Sequence, residues 1–247
     1  MTSTAAPNSA REQPRTTGGS LRVVAAAYLT HRQDDPELPV VPGFVASTFN
    51  PLIHETVRRC LGDPSADGTG NALVGPYPDT TAVLLATVAG DATTSDLASR
   101  KLVSGRVHNP LLFFQSVTTS ILGHLAIQYG LTGPVSCIAA DHGVAEQAWE
   151  TAELLLSQEP ELDQVLLVGI ELAVNPRTRA AYGQVARLGR SARPPEQDLA
   201  VAVLLRRAVG TEECSRPPGY EGERSPYGSL LPLVTVAERA GRTGEAA

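Results

Sequence analysis

A chain of 247 residues, 42% hydrophobic and 19% charged, can bury one large core or two small ones, so one globular domain with a disordered margin is the expectation. A net charge of -6 excludes a general nucleic-acid binder, which needs a clustered basic face, and gives an anionic membrane surface nothing to attract. Aromatic residues are only 4%, so small and branched side chains must fill most of the core.

The three cysteines, Cys60, Cys137 and Cys214, are widely spaced and form no CxxC pair. That pattern suits a reducing cytoplasm better than a disulfide framework or a zinc site. Residues 1–19 lack an apolar signal-like region and are rich in Ser, Thr, Pro and Gly, so they read as a disordered lead-in. Residues 20–247 then form one domain with a loop-rich C-terminal tail, and no apolar run is long enough to span a bilayer.

Leu21–Leu29 is a continuous apolar run of strand length, suited to a sheet covered on both faces. After a Pro-rich connection, NPLIHETVRRCLG predicts a helix with Asn50 as N-cap, Pro51 at its first position and Gly62 as its stop. Cys60 lies on the apolar side of that helix and reads as a core filler. Thr81–Val88 is a second buried strand, and TTSDLASRKLVSG a polar helix ending at Gly105.

From Asn109 and Pro110 the sequence predicts one long helix reaching Gln128. Its apolar residues cover most of the circumference, so it is expected to be buried or to face a second chain. Phe113 and Phe114 point about 100° apart, so at most one of them faces any one cavity. A GLTGP turn leads to the strand Val135–Ala140, and a helix follows over Gly143–Gln158. Gln164–Gly169 is the next strand. A charged loop with Arg187, Arg190 and Arg193 precedes the last strand, Leu199–Leu205, and a short closing helix begins near Leu230. Alternating strands and helices with short links predict a layered α-β-α fold with a mixed, mostly parallel five-stranded sheet.

The strand at Val135 runs straight into a helix through Asp141, His142 and Gly143, which places residue 142 at a helix N-terminus. A thiol there would ionise readily, whereas a histidine would have its charged form disfavoured, with Asp141 pulling the other way.

The run NPLLFFQSVTTSILGHLAIQYGLTGPVSCIAADHGVAEQA resembles the central segment of β-ketoacyl synthases, the condensing enzymes of the thiolase fold. Their AGH-L-x-I-x-x-GL-x-GP run is matched in register by Gly123, His124, Leu125, Ile127, Gly130, Leu131, Gly133 and Pro134. Leu166–Leu172 resembles their VGG-x-E strand, and Asp198–Leu205 the strand that closes their N-terminal half. The resemblance extends over Leu21–Ala208 and implies a thiolase-like N-terminal half.

Two departures shape the implied function. Eight residues beyond Pro134, where the synthases carry their nucleophilic cysteine, this chain has His142, with Asp141 in place of a small Ala; Cys137 comes five residues too early. The synthases' C-terminal half, with its catalytic histidines and lysine, has no counterpart here, and no histidine follows His142. Loss of the thiolate and of the enolate-stabilising histidines should abolish decarboxylative condensation.

That combination is similar to the chain length factors, inactive partners in type II polyketide synthases, and in particular to the short ones of polyene-forming, highly reducing systems. Asn109, Pro110, Phe113, Ser116, Val117 and Thr119 match their SP-x-x-F-x-x-SV-x-N segment, with Thr119 where Asn is frequent. The resemblance implies a heterodimer, or a dimer of heterodimers, with an active ketosynthase. Val135, Ser136, Cys137, Ile138 and Ala139 would pair across the interface. Leu112, Phe113, Ser116, Val117 and Thr119 would shape the partner's acyl tunnel, with a smaller Leu112 leaving it longer. No cofactor is implied; the substrate would arrive on the phosphopantetheine of an acyl carrier protein bound to the partner.

Alternatives stay open residue by residue. His142 is either a structural filler or, with Asp141, a residual acid/base pair in a self-sufficient acyltransferase or acyl-thioester decarboxylase. Cys137 is a displaced nucleophile or an inert, buried strand thiol. His124 reads as a packing or hydrogen-bonding residue, and the arginines as either a solvated loop or a contact for an acidic carrier protein.

Overall fold

The computed structural model describes residues 21–64, 71, 73–105, 110–173, 175–189, 192–208, 217 and 225–244, with side chains described as far as 241. The lead-in 1–19, Asn109, Arg190 and Cys214 lie outside the described residues. The elements are β1 (Leu21–His31), α1 (Phe49–Leu61), β2 (Thr81–Thr87), α2 (Ala92–Val103), α3 (Pro110–Ser116), α4 (Ser120–Tyr129), β3 (Val135–Ala139), α5 (Val144–Gln158), β4 (Gln164–Glu171), α6 (Pro176–Arg187), β5 (Asp198–Arg207) and α7 (Leu231–Gly244).

The five strands form one sheet in the order β1-β5-β4-β2-β3. β2 pairs in parallel with β3 and β4, while β5 is antiparallel to both β1 and β4. All strands but β5 therefore point one way. Alternation along β2 sends Val83 and Leu85 to one face and Ala82, Leu84 and Ala86 to the other. On the first face α1 and α4 bury Leu52, Ile53, Val57, Ile121 and Leu125. On the second, α5 and α7 bury Ala148, Trp149, Ala152, Leu233 and Val234. These two cores give the expected α-β-α layering, with Cys60 buried in the first.

Four local readings change. The single long helix from Asn109 is two helices, α3 and α4, meeting at 83°. The Phe114 carbonyl is taken by the Val117 N–H at 3.2 Å and the Ser120 hydroxyl at 2.7 Å, which ends α3 instead of continuing it. α1 begins earlier than expected: Thr48, not Asn50, is its N-cap, and the Thr48 carbonyl accepts from the Leu52 N–H at 2.9 Å. The charged loop before β5 contains α6. Its start is fixed by a capping box in which Asn175 Oδ1 accepts from the Thr178 N–H at 2.9 Å and the Asn175 N–H donates to Thr178 Oγ1 at 3.0 Å. Finally, α7 is 14 residues long, not short, because Leu233, Val234, Val236 and Ala237 complete the second core.

Two glycines permit close approaches that a side chain would block. A Cβ on Gly133 would lie 2.2 Å from the Thr81 carbonyl oxygen, so the GLTGP turn can pass this near β2 only with glycine. A Cβ on Gly169 would lie 3.0 Å from Leu230 and 3.2 Å from Leu233, so the bare backbone of β4 lets the α7 region settle onto the sheet. Among the described residues, no single helix is long and apolar enough to cross a membrane.

Candidate functional site

β3 is the edge of the sheet, and β2 is its neighbour, in the register Val83 to Val135 through Thr87 to Ala139. Val135, Ser136, Cys137 and Ala139 are exposed, and only Ile138 packs into the second core. The other edge of the strand offers its peptide groups to whatever lies beside it. No charge, proline or bulge protects it, which natural edge strands normally require. The expectation that Cys137 is buried is thus corrected: it is an exposed thiol at the middle of the strand, and desolvation pushes its pKa up, away from nucleophilic use.

α3 lies against α2 and α4. Leu112 is only 6% exposed and Gln115 is buried, the latter accepting the N–H groups of Val45 and Ala46 at 3.0 and 2.9 Å. Leu112 is therefore buried within this chain, unlike its neighbours Leu111 and Phe113. The bend after Ser116 sets this: a seven-residue helix anchored through Leu112 and Gln115 turns Leu111, Phe113 and Val117 outward. Phe113 is 48% and Val117 52% exposed. Phe114 is equally exposed at 48% but meets the Phe44 ring, with centroids 5.4 Å apart and planes tilted by 39°. Ser116 donates back to the Phe113 carbonyl at 2.8 Å, and Thr119 stands as N-cap of α4.

At the elbow, His142 Nδ1 is 2.7 Å from Asp141 Oδ1, and the imidazole side chain is 56% exposed. The Gln147 side-chain amide donates to the His142 carbonyl at 2.7 Å, tying the turn to α5. The position that leads the helix is thus held in place and carries an imidazole, with no thiol beside it. Among the described residues no three His, Cys, Asp or Glu side chains are grouped to hold a metal ion.

His124 packs between rings, 5.7 Å from His54 and 6.0 Å from Phe44. Burial and the neighbouring His54 push its pKa down, and His54 Nε2 meets Gln128 Oε1 at 2.9 Å. A structural role fits this setting. Arg187 ends α6 and is exposed, as is Arg193.

The VGG-x-E resemblance takes in Glu171, but sequence reasoning gives that buried group no role. Glu171, at the end of β4, accepts from the Thr87 hydroxyl at 3.0 Å, the Val88 N–H, and the Tyr182 hydroxyl at 3.1 Å. It links the ends of β2 and β4 to α6. The available signal was an acidic residue closing an otherwise apolar strand. Nearby, Asp198 accepts from the Ala173 N–H at 2.8 Å and the Thr48 hydroxyl, and Asp91 from the Ser47 hydroxyl at 2.7 Å. These carboxylates fix the loops at the end of the sheet that also carries the Asp141–His142 elbow.

The strand order with its one reversed strand, the two helical layers and the strand-to-helix elbow define a thiolase-like α/β unit, the fold of the ketosynthases. Among solved structures, the chain is similar to a ketosynthase (ApeO) in complex with its chain length factor (ApeC) from Xenorhabdus doucetiae, with a TM-score of 0.54 and 16% identity over 77% of this chain and 80% of that one. It is also similar to the ishigamide ketosynthase/chain length factor, with a TM-score of 0.54 and 16% identity over 81% of this chain and 64% of that one. A third similar structure is a type II polyketide synthase acyl-carrier protein in complex with its ketosynthase bound to the hexaketide, with a TM-score of 0.53 and 10% identity over 76% of this chain and 63% of that one. The chain thus spans less than two thirds of the last two. No protein-family model and no curated protein matches the sequence.

Proposed function

We propose that this chain is the non-catalytic, chain-length-factor-type subunit of a ketosynthase heterodimer in type II polyketide biosynthesis, of the highly reducing, polyene-forming kind. It acts in the cytoplasm, where Cys60 and Cys137 remain thiols. The observation that carries this reading is the open, uncharged edge of β3, taken together with the outward-turned Phe113 and Val117 on the neighbouring segment of sequence. A strand of the partner adds to that edge, and α3 then reaches into the partner's acyl cavity. Extra methylenes forced into a packed cavity cost about 1 to 3 kcal/mol, so the bulk at Phe113 and Val117 sets where the growing chain stops. Condensation itself, and the acyl group on the carrier protein's phosphopantetheine, belong to the partner, because His142 here stands where the synthases need a thiolate.

The test is co-expression with a full-length ketosynthase, followed by product analysis. A stable complex is expected, with shorter products from Phe113→Trp and longer ones from Phe113→Ala. Products indifferent to both changes would sink the gating role. A second reading, an acyl-thioester decarboxylase, is favoured only by the 2.7 Å contact of Asp141 with His142. Unchanged turnover in a His142→Ala complex removes it.

A further inference from the structure

Two polar atoms are buried without a partner where α1 meets α4. Asn50 is 2% exposed, and neither its Oδ1 nor His54 Nδ1 has a hydrogen-bond partner among the described residues. Such orphans are rare in folded proteins, and a bound ion or molecule is a usual reason for them. The two residues stand one turn apart on α1, and helical side chains lean towards the N-terminus, so the His54 ring lies over the turn that carries Asn50. His54 Nε2 is 2.9 Å from Gln128 Oε1, an oxygen that only accepts. The ring proton therefore sits on Nε2, and Nδ1 is left as a buried lone pair.

α4 brings a second imidazole to the same place. The two helices run side by side in one direction. The Tyr129 hydroxyl, at the end of α4, donates at 2.9 Å to the carbonyl of Gly62, just past α1, while Phe44, ahead of α1, meets His124 in the first half of α4 with ring centres 6.0 Å apart. This alignment sets His124 against the turn of Asn50 and His54, and its ring centre is 5.7 Å from that of His54. Two imidazoles on one ion, each with a Zn–N bond of about 2.0 Å, have ring centres about 5 to 6 Å apart. Burial and the neighbouring His54 push the His124 pKa down, which keeps that ring in the neutral form that binds a metal.

We propose that Asn50 Oδ1, His54 Nδ1 and one ring nitrogen of His124 bind a divalent transition-metal ion of the zinc type. Two imidazoles and an amide oxygen suit Zn²⁺ and its neighbours, whereas Ca²⁺ and Mg²⁺ call for more oxygen donors. Because the third donor is an amide, the site needs only two of the His, Cys, Asp or Glu side chains. Gln128 supplies the outer acceptor that metal-ligating histidines regularly have. The ion ties α1 to α4 and, through the Phe44 ring shared by His124 and Phe114, braces the corner between α3 and α4. Its role is structural, and it does not depend on whether the chain pairs with a ketosynthase.

The experiment uses the untagged full-length chain, stripped of metal by a chelator and titrated with Zn²⁺ by calorimetry and with Co²⁺ by visible absorption. One ion per chain is expected, with a raised melting temperature and the ligand-field bands of nitrogen-bound cobalt. Asn50→Leu and His124→Phe keep much of the side-chain volume, and each should weaken binding at least roughly tenfold; Gln128→Leu, which removes only the acceptor behind His54, should weaken it by about tenfold. If one of the first two does not fold, the other and Gln128→Leu carry the test. Without metal, Asn50→Leu should be no less stable than the native chain, since it removes a buried orphan. His142→Ala, which deletes the exposed imidazole of the elbow, should bind as the native chain does. Zn²⁺ binding kept in both Asn50→Leu and His124→Phe overturns the proposal, because the ion then sits elsewhere. A lack of saturable binding overturns it too, and means that a water or a turned Asn50 amide satisfies the two buried atoms.

Discussion

Glu171 is a carboxyl group shut off from solvent with three donors on it, and burial pushes its pKa up to about 7 from 4.5. Because the folded value lies above the unfolded one, the folded state holds a proton that the unfolded chain releases. The resulting stabilisation is full below about pH 4.5 and is lost as pH rises through about 7. Its size is at most about 3.5 kcal/mol, since each tenfold change in proton affinity is worth about 1.4 kcal/mol. Glu55 works in the opposite sense: Arg58 and Arg59 hold its pKa down to about 2, so its contribution changes only in more acidic solution and is constant between pH 5 and 8. Urea midpoints measured across pH 5 to 8 should therefore fall for the native chain, and the fall should be markedly smaller in Glu171→Gln, which keeps an acceptor and removes the charge. The VGG-x-E resemblance takes in Glu171 but does not tell which groups its carboxyl meets. Its role arises from three segments that converge only in the fold.

At the scale of elements, the sequence locates the strands well and misjudges what surrounds two of them. VSCIA reads as a buried run because the apolar pattern of a strand buried by a partner is the same as that of a strand buried in its own core. Likewise α3 and α4 read as one helix: the run from Pro110 to Tyr129 contains no proline after its start, and the break is made by a serine hydroxyl capturing a carbonyl. That break leaves Leu112 turned inward, against the packing of its own chain. If β3 is where the partner's strand adds, Cys137→Glu should abolish co-purification with the ketosynthase. It should also leave the urea midpoint of the isolated chain within about 0.5 kcal/mol, as usual for an exposed position. A complex that survives the glutamate would place the contact elsewhere.

For the whole molecule, the layered class follows from alternation, but the strand order does not. β1 pairs with β5, from the other end of the described chain, and such pairings leave no local trace. The closing helix reads as short from the sequence for a related reason. Its length follows from the need to cover Leu167, Val201 and Val203 on a face that α5 covers only in part. α7 is thus a main component of the second core. Leu233→Ala should lower stability by about 2 to 5 kcal/mol, the range for a buried leucine, readable by chemical denaturation. A loss below about 1 kcal/mol would mean that α7 is an appendage.

The unguarded edge of β3 has a consequence for supply. A strand of small, uncharged residues with open peptide groups accepts any extended segment that reaches it first, including another copy of itself or a half-folded neighbour. If a partner strand adds there, as proposed, the lifetime of the free subunit is set by how soon that partner arrives. Balanced and simultaneous synthesis of the two chains would then be part of what keeps this fold usable.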